Sequence, residues 1–176
     1  ELAPERAVRL ALDCEKFFAV RAKAGSKISI TKAKVEEQGR AVTRTQVMVL
    51  NDDMPFLVDS LSALFSALGL SIHLVQHPIL EVARDAKGAL VEGKKARKPE
   101  SLIYVELSPL PAELTAAELT RQIEGVMAHV TASVEDWETM RNRALVLAEQ
   151  FTASKTGSSK AESEEIRDLL LWLAGN

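Results

Sequence analysis

Hydrophobic periodicity that changes from helical to alternating and back, turn residues between the alternating runs, and the order of the resulting elements predict an α+β protein. Its expected centre is an antiparallel sheet with helices on one face, preceded by an N-terminal helix and followed by extra C-terminal helices. The chain has 176 residues, 47 % of them hydrophobic. That is enough for one real core without disulfides or structural metals.

From Pro4 to about Lys23 the residues are helix formers, and Leu10, Cys14, Phe17 and Phe18 recur at helical spacing on one face. Gly25 closes this helix. Residues 27–35 and 41–50 each alternate, with Ile28 and Ile30 in the first and Val47 and Val49 in the second, separated by the turn-like Glu36, Glu37, Gln38 and Gly39. The pattern is a hairpin. Pro55 suits the first position of a helix whose buried stripe is Leu57, Leu61, Leu64, Phe65 and Leu68, ended by Gly69. Residues 72–82 form an extended run interrupted at His77-Pro78, where proline cannot donate to a ladder and so marks an edge or a bulge. Residues 85–99 read as a long polar connection. Residues 102–107 read as a strand with Ile103, Val105 and Leu107 on one face and Tyr104 and Glu106 on the other.

Thr115-x-x-Glu118 is a capping box, and the stripe that begins at Leu119 and Ile123 continues through Met140 to Phe151. Unbroken, such a helix is ~50 Å long at 1.5 Å per residue. A compact domain of this length has a radius of gyration of about 16 Å, so the helix is expected to bend between Gly125 and Asp136 or to project. Residues 152–163, rich in Ser, Thr and Lys, read as a linker. Ile166, Leu169, Leu170, Trp172 and Leu173 form a last amphipathic helix. The expected organisation is therefore an N-terminal helix over 1–26, an α+β domain with a long helical extension over 27–151, a linker over 152–163, and an amphipathic helix over 164–176 that leads into a further domain.

Between residues 41 and 134 the order strand, helix, strand, strand, helix is the split βαβ of ferredoxin-like and ACT-like folds without its last strand. In those folds the last strand lies antiparallel beside the first. Residues 27–35 already pair there by hairpin, so the upstream strand is expected to complete the sheet.

Several functions are disfavoured. A net charge of −3 gives no basic footprint for nucleic acid, and Lys94, Lys95, Arg97 and Lys98 read as a solvated loop. The longest apolar run, residues 169–174, is far below the ~20 residues that span a bilayer. No signal peptide opens the sequence, so a cytoplasmic setting is expected. The one cysteine, Cys14, forms no internal disulfide and reads as core. No two of the eight glycines lie two or three residues apart, so no dinucleotide or phosphate-binding fingerprint is present. His73 and His77 are ~13 Å apart along a strand and cannot share a metal. His129 reads as a helix-surface or core-edge residue. No catalytic, cofactor-binding or metal-binding residue is assigned.

Asp52, Asp53 and Asp59 are the one carboxylate cluster at a strand-to-helix junction. Paired carboxylates can hold magnesium or act as acid and base. Acidic residues ahead of a helix also complement its free N–H groups and its dipole, which explains them with less.

The run from Val49 to Ser60, with Asn51-Asp52-Asp53-Met54-Pro55-Phe56 at its centre, and the run Gly69-Leu70-Ser71-Ile72-His73-Leu74-Val75-Gln76-His77-Pro78 resemble the N-terminal region of the large, multi-domain bacterial NAD-dependent glutamate dehydrogenases. Arg84-Asp85-x-x-Gly88, the run from Pro99 to Glu106, Val134-Glu135-Asp136-Trp137-x-x-Met140 and Leu171-Trp172-Leu173-Ala174 follow in order. These landmarks cover most of the sequence from Val42 onward; the first forty residues carry few.

The resemblance implies a domain described as ACT-like, in an enzyme that converts L-glutamate, NAD and water to 2-oxoglutarate, ammonia and NADH in a catalytic domain located elsewhere. It implies no catalytic residue here, no cofactor in this stretch, and NAD as cofactor of the whole enzyme. The function it implies is a non-catalytic regulatory or assembly domain, with the rest of the polypeptide and further subunits of a homo-oligomer as partners. The alternatives are an amino-acid-sensing allosteric domain and, last, an independent enzyme using Asp52, Asp53 and Asp59. Asn51, Asp52, Asp53, Met54, Pro55, Phe56 and Leu57 are the candidate effector-binding residues, for a small amino acid. The ACT turn carries Asp-x-Pro-Gly, whereas Asp53-Met54-Pro55-Phe56 places an aromatic residue where glycine lets a ligand approach.

Overall fold

The computed structural model describes residues 3–22, 25–37, 39–93, 97–153 and 159–175. Helix α1 spans Pro4–Phe18, followed by strands β1 (Lys27–Glu37) and β2 (Arg40–Asp52), helix α2 (Leu57–Ala67), strands β3 (Ile72–Gln76), β4 (Ile79–Val82) and β5 (Lys98–Leu107), and helices α3 (Ala116–Ala153) and α4 (Lys160–Gly175). The five strands form one antiparallel sheet of order β1-β2-β5-β3, with β4 also on β5. β1 occupies the position that the last strand takes in a ferredoxin-like sheet, as the upstream hairpin predicts. Lys27 pairs with Leu50 and Glu37 with Arg40, which leaves two residues for the turn. Gly39 has φ 73°, as a tight hairpin turn favours; Gln38 lies outside the described residues.

β2 pairs with β5 from Thr45–Leu107 to Asp52–Glu100. β4 pairs with the same end of β5, Ile79 with Ser101 and Val82 with Lys98, so it uses the opposite edge, in line with β3. The break at His77-Pro78 keeps register: Gln76 pairs with Tyr104, Ile79 with Ser101, and the Pro78 carbonyl accepts from the Leu102 N–H at 3.0 Å. The irregularity in pairing falls between Ile72 and Leu74 instead. β5 starts four residues before the expected strand, although Pro99 lies within it. That proline pairs with Glu81, and its carbonyl accepts from Asp53 N–H, so only its missing donor is lost. Lys98 and Arg97, expected in a loop, therefore stand in and beside this strand; Lys94 and Lys95 lie outside the described residues.

Alternation separates the two faces of the sheet. One carries Val47, Val49, Ile103, Val105 and Leu107, all buried. The buried stripes of α2 (Leu57, Leu61, Phe65) and of early α3 (Leu119, Ile123, Met127) close over it. Each such side chain contributes roughly 1.5–3 kcal/mol on leaving water. The other face belongs to α1: Phe17 and Phe18 cluster with Leu50 and Leu102, and Cys14, Met48 and Val82 pack against them. β5 is thus buried on both faces. Tyr104 and Glu106, on the α1 face, are as inaccessible as the valines behind them.

α2 begins at Leu57 rather than at Pro55, because Phe56 ahead of it is left-handed, with φ 71° and ψ 1°. These angles are those of the third residue of a type II turn, with Pro55 in the favoured second place. α3 starts as the sequence indicates: the Glu118 N–H donates to Thr115 Oγ1 at 3.1 Å. The Glu118 carboxylate accepts from Arg121 and Gln122. The helix then runs without interruption to Ala153, and the chain divides into two compact units between Val130 and Thr131.

In the second unit the later turns of α3 pack against α4, with Ala148 and Ala174 buried and Arg141 Nε donating to the Ala174 carbonyl at 2.9 Å. α4 starts four residues earlier than its apolar pattern, because Ser159 and Glu162 cap each other: Glu162 accepts from the Ser159 N–H at 2.9 Å, and Ser159 Oγ accepts from the Glu162 N–H at 3.3 Å. Of the expected linker, residues 154–158 lie outside the described residues. No helix among the described residues is long and apolar enough to cross a membrane.

Glu106 is 2 % exposed and accepts hydrogen bonds from Arg6 and from the Tyr104 hydroxyl. Burial alone raises a carboxyl pKa, but these donors outweigh it and hold Glu106 below its ordinary value, while burial and Glu106 push the Tyr104 phenol up. A carboxylate with a depressed folded pKa stabilises the protein above its unfolded pKa of about 4.3, and that contribution fades as pH falls through the folded value. Glu106→Gln is expected to lower stability at pH 7 by about 2 kcal/mol. The deficit should shrink below pH 4, as read by urea unfolding at pH 7 and pH 3. An unchanged deficit at both pH values rejects the ionised pair.

Candidate functional site

The candidate effector loop starts where β2 ends. Asn51 is buried; its Oδ1 accepts from Ser26 Oγ at 3.0 Å and its Nδ2 donates to the Asp52 carbonyl at 3.2 Å. Consecutive residues of a strand point to opposite faces, and this separates the predicted carboxylates. Asp52 turns to the α1 face and accepts from Arg21 Nη1 at 2.5 Å. Asp53 turns to the other side and accepts from the Ser101 hydroxyl, which lies 2.9 Å from His77 Nε2. Asp59 sits in the first turn of α2. Asp52, Asp53 and Asp59 therefore do not converge on one point. No group of three His, Cys, Asp or Glu among the described residues is placed to hold a metal ion.

The rest of the loop offers a ligand little. Asn51 and Leu57 are buried, and Phe56 is 64 % exposed. α2 has no side-chain cap, so its first N–H groups are the loop's resource for an anion. Phe56 adopts the left-handed conformation that glycine takes without strain. It is the one non-glycine residue with positive φ among those described. The glycine-like turn is preserved without the glycine, at a cost of about 1–2 kcal/mol.

A denser cluster, which sequence reasoning missed, lies beside this loop on the α1 face. Glu100 is 5 % exposed and accepts from two arginines. Arg84 contacts it through Nε at 2.8 Å and Nη2 at 2.7 Å, and also donates to the carbonyls of Phe18 and Gly88 at 2.9 and 2.8 Å. Arg21 Nη1 reaches Glu100 at 3.2 Å as well as Asp52. Arg84 also lies 4.9 Å from the Phe18 ring centre, and Lys27 Nζ lies 4.6 Å from that of Phe17. Burial and the Arg84 charge push the Lys27 ammonium pKa down.

The segment after Arg84, expected as a polar connection, is an ordered turn. Asp85 Oδ1 accepts from the N–H groups of Lys87 and Ala89, and Gly88 exchanges backbone contact with the end of α1, its carbonyl accepting from Arg21 N–H at 3.0 Å. Arg84-Asp85-x-x-Gly88 is thus a clasp, in which each named residue has a separate structural task. The signal available in the sequence was an arginine followed by a turn, with a glutamate inside a strand otherwise destined for the core.

The α1 face also holds an apolar cleft of about 550 Å³, lined by Ala7, Leu10, Ala11 and Cys14 of α1 and by Gln76, Pro78, Leu102 and Tyr104 among others. Cys14, expected in the core, is only partly buried and borders this cleft. Burial, then Asp13, push its thiol pKa up, which keeps it protonated and a weak nucleophile at neutral pH. His73 and His129 are both exposed.

Compared with protein families, residues 1–123 match the model described as glutamate dehydrogenase, ACT1 domain. This chain belongs to that family. The match includes the first forty residues, where few sequence landmarks lie, and ends before Val134-Glu135-Asp136-Trp137. Among curated proteins, the ACT1 domain is similar to an NAD-specific glutamate dehydrogenase of Pseudomonas aeruginosa, 35 % identical over 148 residues, and to one of Halomonas elongata, 30 % identical over 156 residues. These alignments cover 80 % and 84 % of this chain but 9 % and 10 % of the relatives. The chain therefore spans about a tenth of their length.

Gly88 tests the clasp of this ACT1 domain. It has φ 83°, and a Cβ built there falls 1.8 Å from the Arg21 carbonyl oxygen. Gly93, with φ 73°, meets nothing within 4 Å. Gly93→Ala should cost only about 1 kcal/mol, for the left-handed backbone alone. Gly88→Ala must also force the Arg21 and Gly88 backbones apart and should cost roughly 3 kcal/mol or more in thermal unfolding. Equal costs at the two positions refute the clasp.

Proposed function

We propose that this chain is a non-catalytic regulatory or assembly domain of an NAD-specific glutamate dehydrogenase. The complete enzyme oxidises L-glutamate to 2-oxoglutarate and ammonia with NAD and works as a homo-oligomer in the cytoplasm, its catalytic and cofactor residues lying outside these 176. The observation that carries this reading is the family match over residues 1–123. The geometry supports it, because the acidic residues that chemistry would need, Asp52, Asp53 and Glu100, are tied to Arg21, Ser101 and Arg84 within the fold. An independent enzyme would need such groups free to meet a substrate.

Amino-acid sensing is the second reading, favoured by one observation. The loop from Asn51 to Leu57 keeps a glycine-like turn at Phe56 ahead of an uncapped helix, which is the geometry that receives a carboxylate. Against it, Asp52 and Asp53 repel an incoming anion, and the Phe56 side chain stands where glycine would leave the backbone open.

The opposing terms are comparable, so binding at this loop is expected to be millimolar at best, about 4 kcal/mol. Calorimetric titration of the purified chain with glutamate, aspartate, serine and glycine measures it. Micromolar affinity lost in Asp53→Ala, with the fold of the variant checked by circular dichroism, would establish the sensor in place of the assembly domain. NADH formation by the pure chain with glutamate and NAD would end both readings.

A further inference from the structure

Ion pairs hold α1 over the sheet near both ends, Arg6 to Glu106 at its start and Arg21 and Arg84 to Glu100 just beyond its end. Between these points one flank of the helix is made of short side chains. Ala7, Ala11 and Cys14 follow at four and three residues and so share that side of α1. Across from them His77 and Pro78 mark the break between β3 and β4, and the floor is Leu102 and Tyr104 of β5. These walls bound the cleft of about 550 Å³, within the roughly 300–1,000 Å³ of small-molecule sites. Protein interiors are otherwise filled to the density of organic crystals. The gap persists because the ion pairs fix the height of α1 and alanine is too short to close it.

The lining decides what chemistry fits. None of the described residues around the cleft is Asp, Glu, Lys or Arg, so a carboxylate, a phosphate or an amino-acid zwitterion entering it would give up water without a counter-charge. Tyr104 spends its single O–H on Glu106, and its oxygen keeps only lone pairs, which accept. His77 commits Nε2 to Ser101, and both it and Gln76 are exposed to water. The rest is carbon, from Leu10, Pro78, Leu102 and the two alanines, together with the Cys14 thiol.

We propose that the cleft between α1 and the break at His77-Pro78 binds a small, neutral, largely apolar molecule that carries one N–H or O–H donor. Such a ligand fills the space that Ala7 and Ala11 leave and offers its donor to the Tyr104 oxygen. The site is separate from the loop of residues 51–57, whose chemistry suits a charged amino acid. Binding here does not depend on the enzyme to which the domain belongs, so a negative result leaves the family reading intact. Where the domain regulates, this cleft gives it an input from an uncharged molecule, read by the seating of α1.

Indole, planar and neutral with one N–H, is the test ligand. With nine heavy atoms at modest efficiency it should bind with a dissociation constant on the order of 1 mM. Cys14 is the one cysteine of the chain and borders the cleft, so its alkylation by iodoacetamide reports on this place alone. Indole at about 2 mM should slow that reaction about threefold, as occupancy of the site predicts, while glutamate and glycine at the same concentration leave it unchanged. Ala11→Leu fills the cleft from an exposed position on α1 and should abolish the protection with the circular dichroism unchanged. Ala7→Leu, one turn nearer the start of the helix, should do the same. Val8→Leu, on the outer side of α1 and 61 % exposed, should leave the protection as it is. No slowing by indole would overturn the proposal. Protection that survives in both alanine variants would place indole elsewhere and overturn it too, and equal protection by glutamate would refute the neutral ligand.

Discussion

Two glutamates buried on the central strand constrain the rest of the sheet domain. Glu100 and Glu106 stand six residues apart on the α1 face of β5, and neither has access to water. An unpaired carboxylate in such a place costs several kcal/mol, so each requires a cation held in position by something else. Those cations come from three separate places: Arg6 near the start of α1, Arg21 just after it, and Arg84 after β4. α1 is consequently fixed over the sheet near both ends, although between them it leaves an apolar cleft and exposes Val8 and Leu12. The ion pairs, more than continuous packing, determine where this helix lies.

The same pairing shapes the loop that a ligand would use. Asp52 belongs to the arginine cluster on one face, and Asp53 to the Ser101 and His77 pair on the other. The strand end is therefore held from both sides just before the chain turns at Pro55 and Phe56. That rigidity explains how a phenylalanine persists at φ 71°, since a strained turn survives only where its surroundings leave no alternative.

The sheet was legible because its signals are local. The hairpin of β1 and β2, the helix after Pro55 and the edge at His77-Pro78 each follow from alternation and turn residues, and together they give a ferredoxin-like order with the upstream strand in place of the last. The position of α1 was not legible, because an amphipathic helix does not state which face it covers. Leu102 and Tyr104 on the second face of β5 were the hint, and Glu106 beside them hid it. The candidate site was legible only in outline. Asp52 and Asp53 are adjacent in sequence, yet strand geometry sends them to opposite sides. Arg21 and Arg84 lie 31 and 32 residues from Asp52, a separation at which no spacing rule applies. Pro99 and the charges around it resemble a loop, although the strand runs through them.

These contacts also bear on regulation against assembly. An effector alters a protein only by its difference in affinity between two states. A ligand of millimolar affinity, present at its dissociation constant, contributes RT ln 2, about 0.4 kcal/mol. Removing one partner of a buried ion pair costs about 3–5 kcal/mol, so such a ligand cannot open the Glu100 cluster and move α1 or the Arg84 turn. For sensing to operate here, the motion would have to leave that cluster intact and be confined to Pro55 and Phe56, the exposed part of the loop. A sheet domain whose buried charges are paired internally is better suited to holding a fixed shape within a larger enzyme than to changing it.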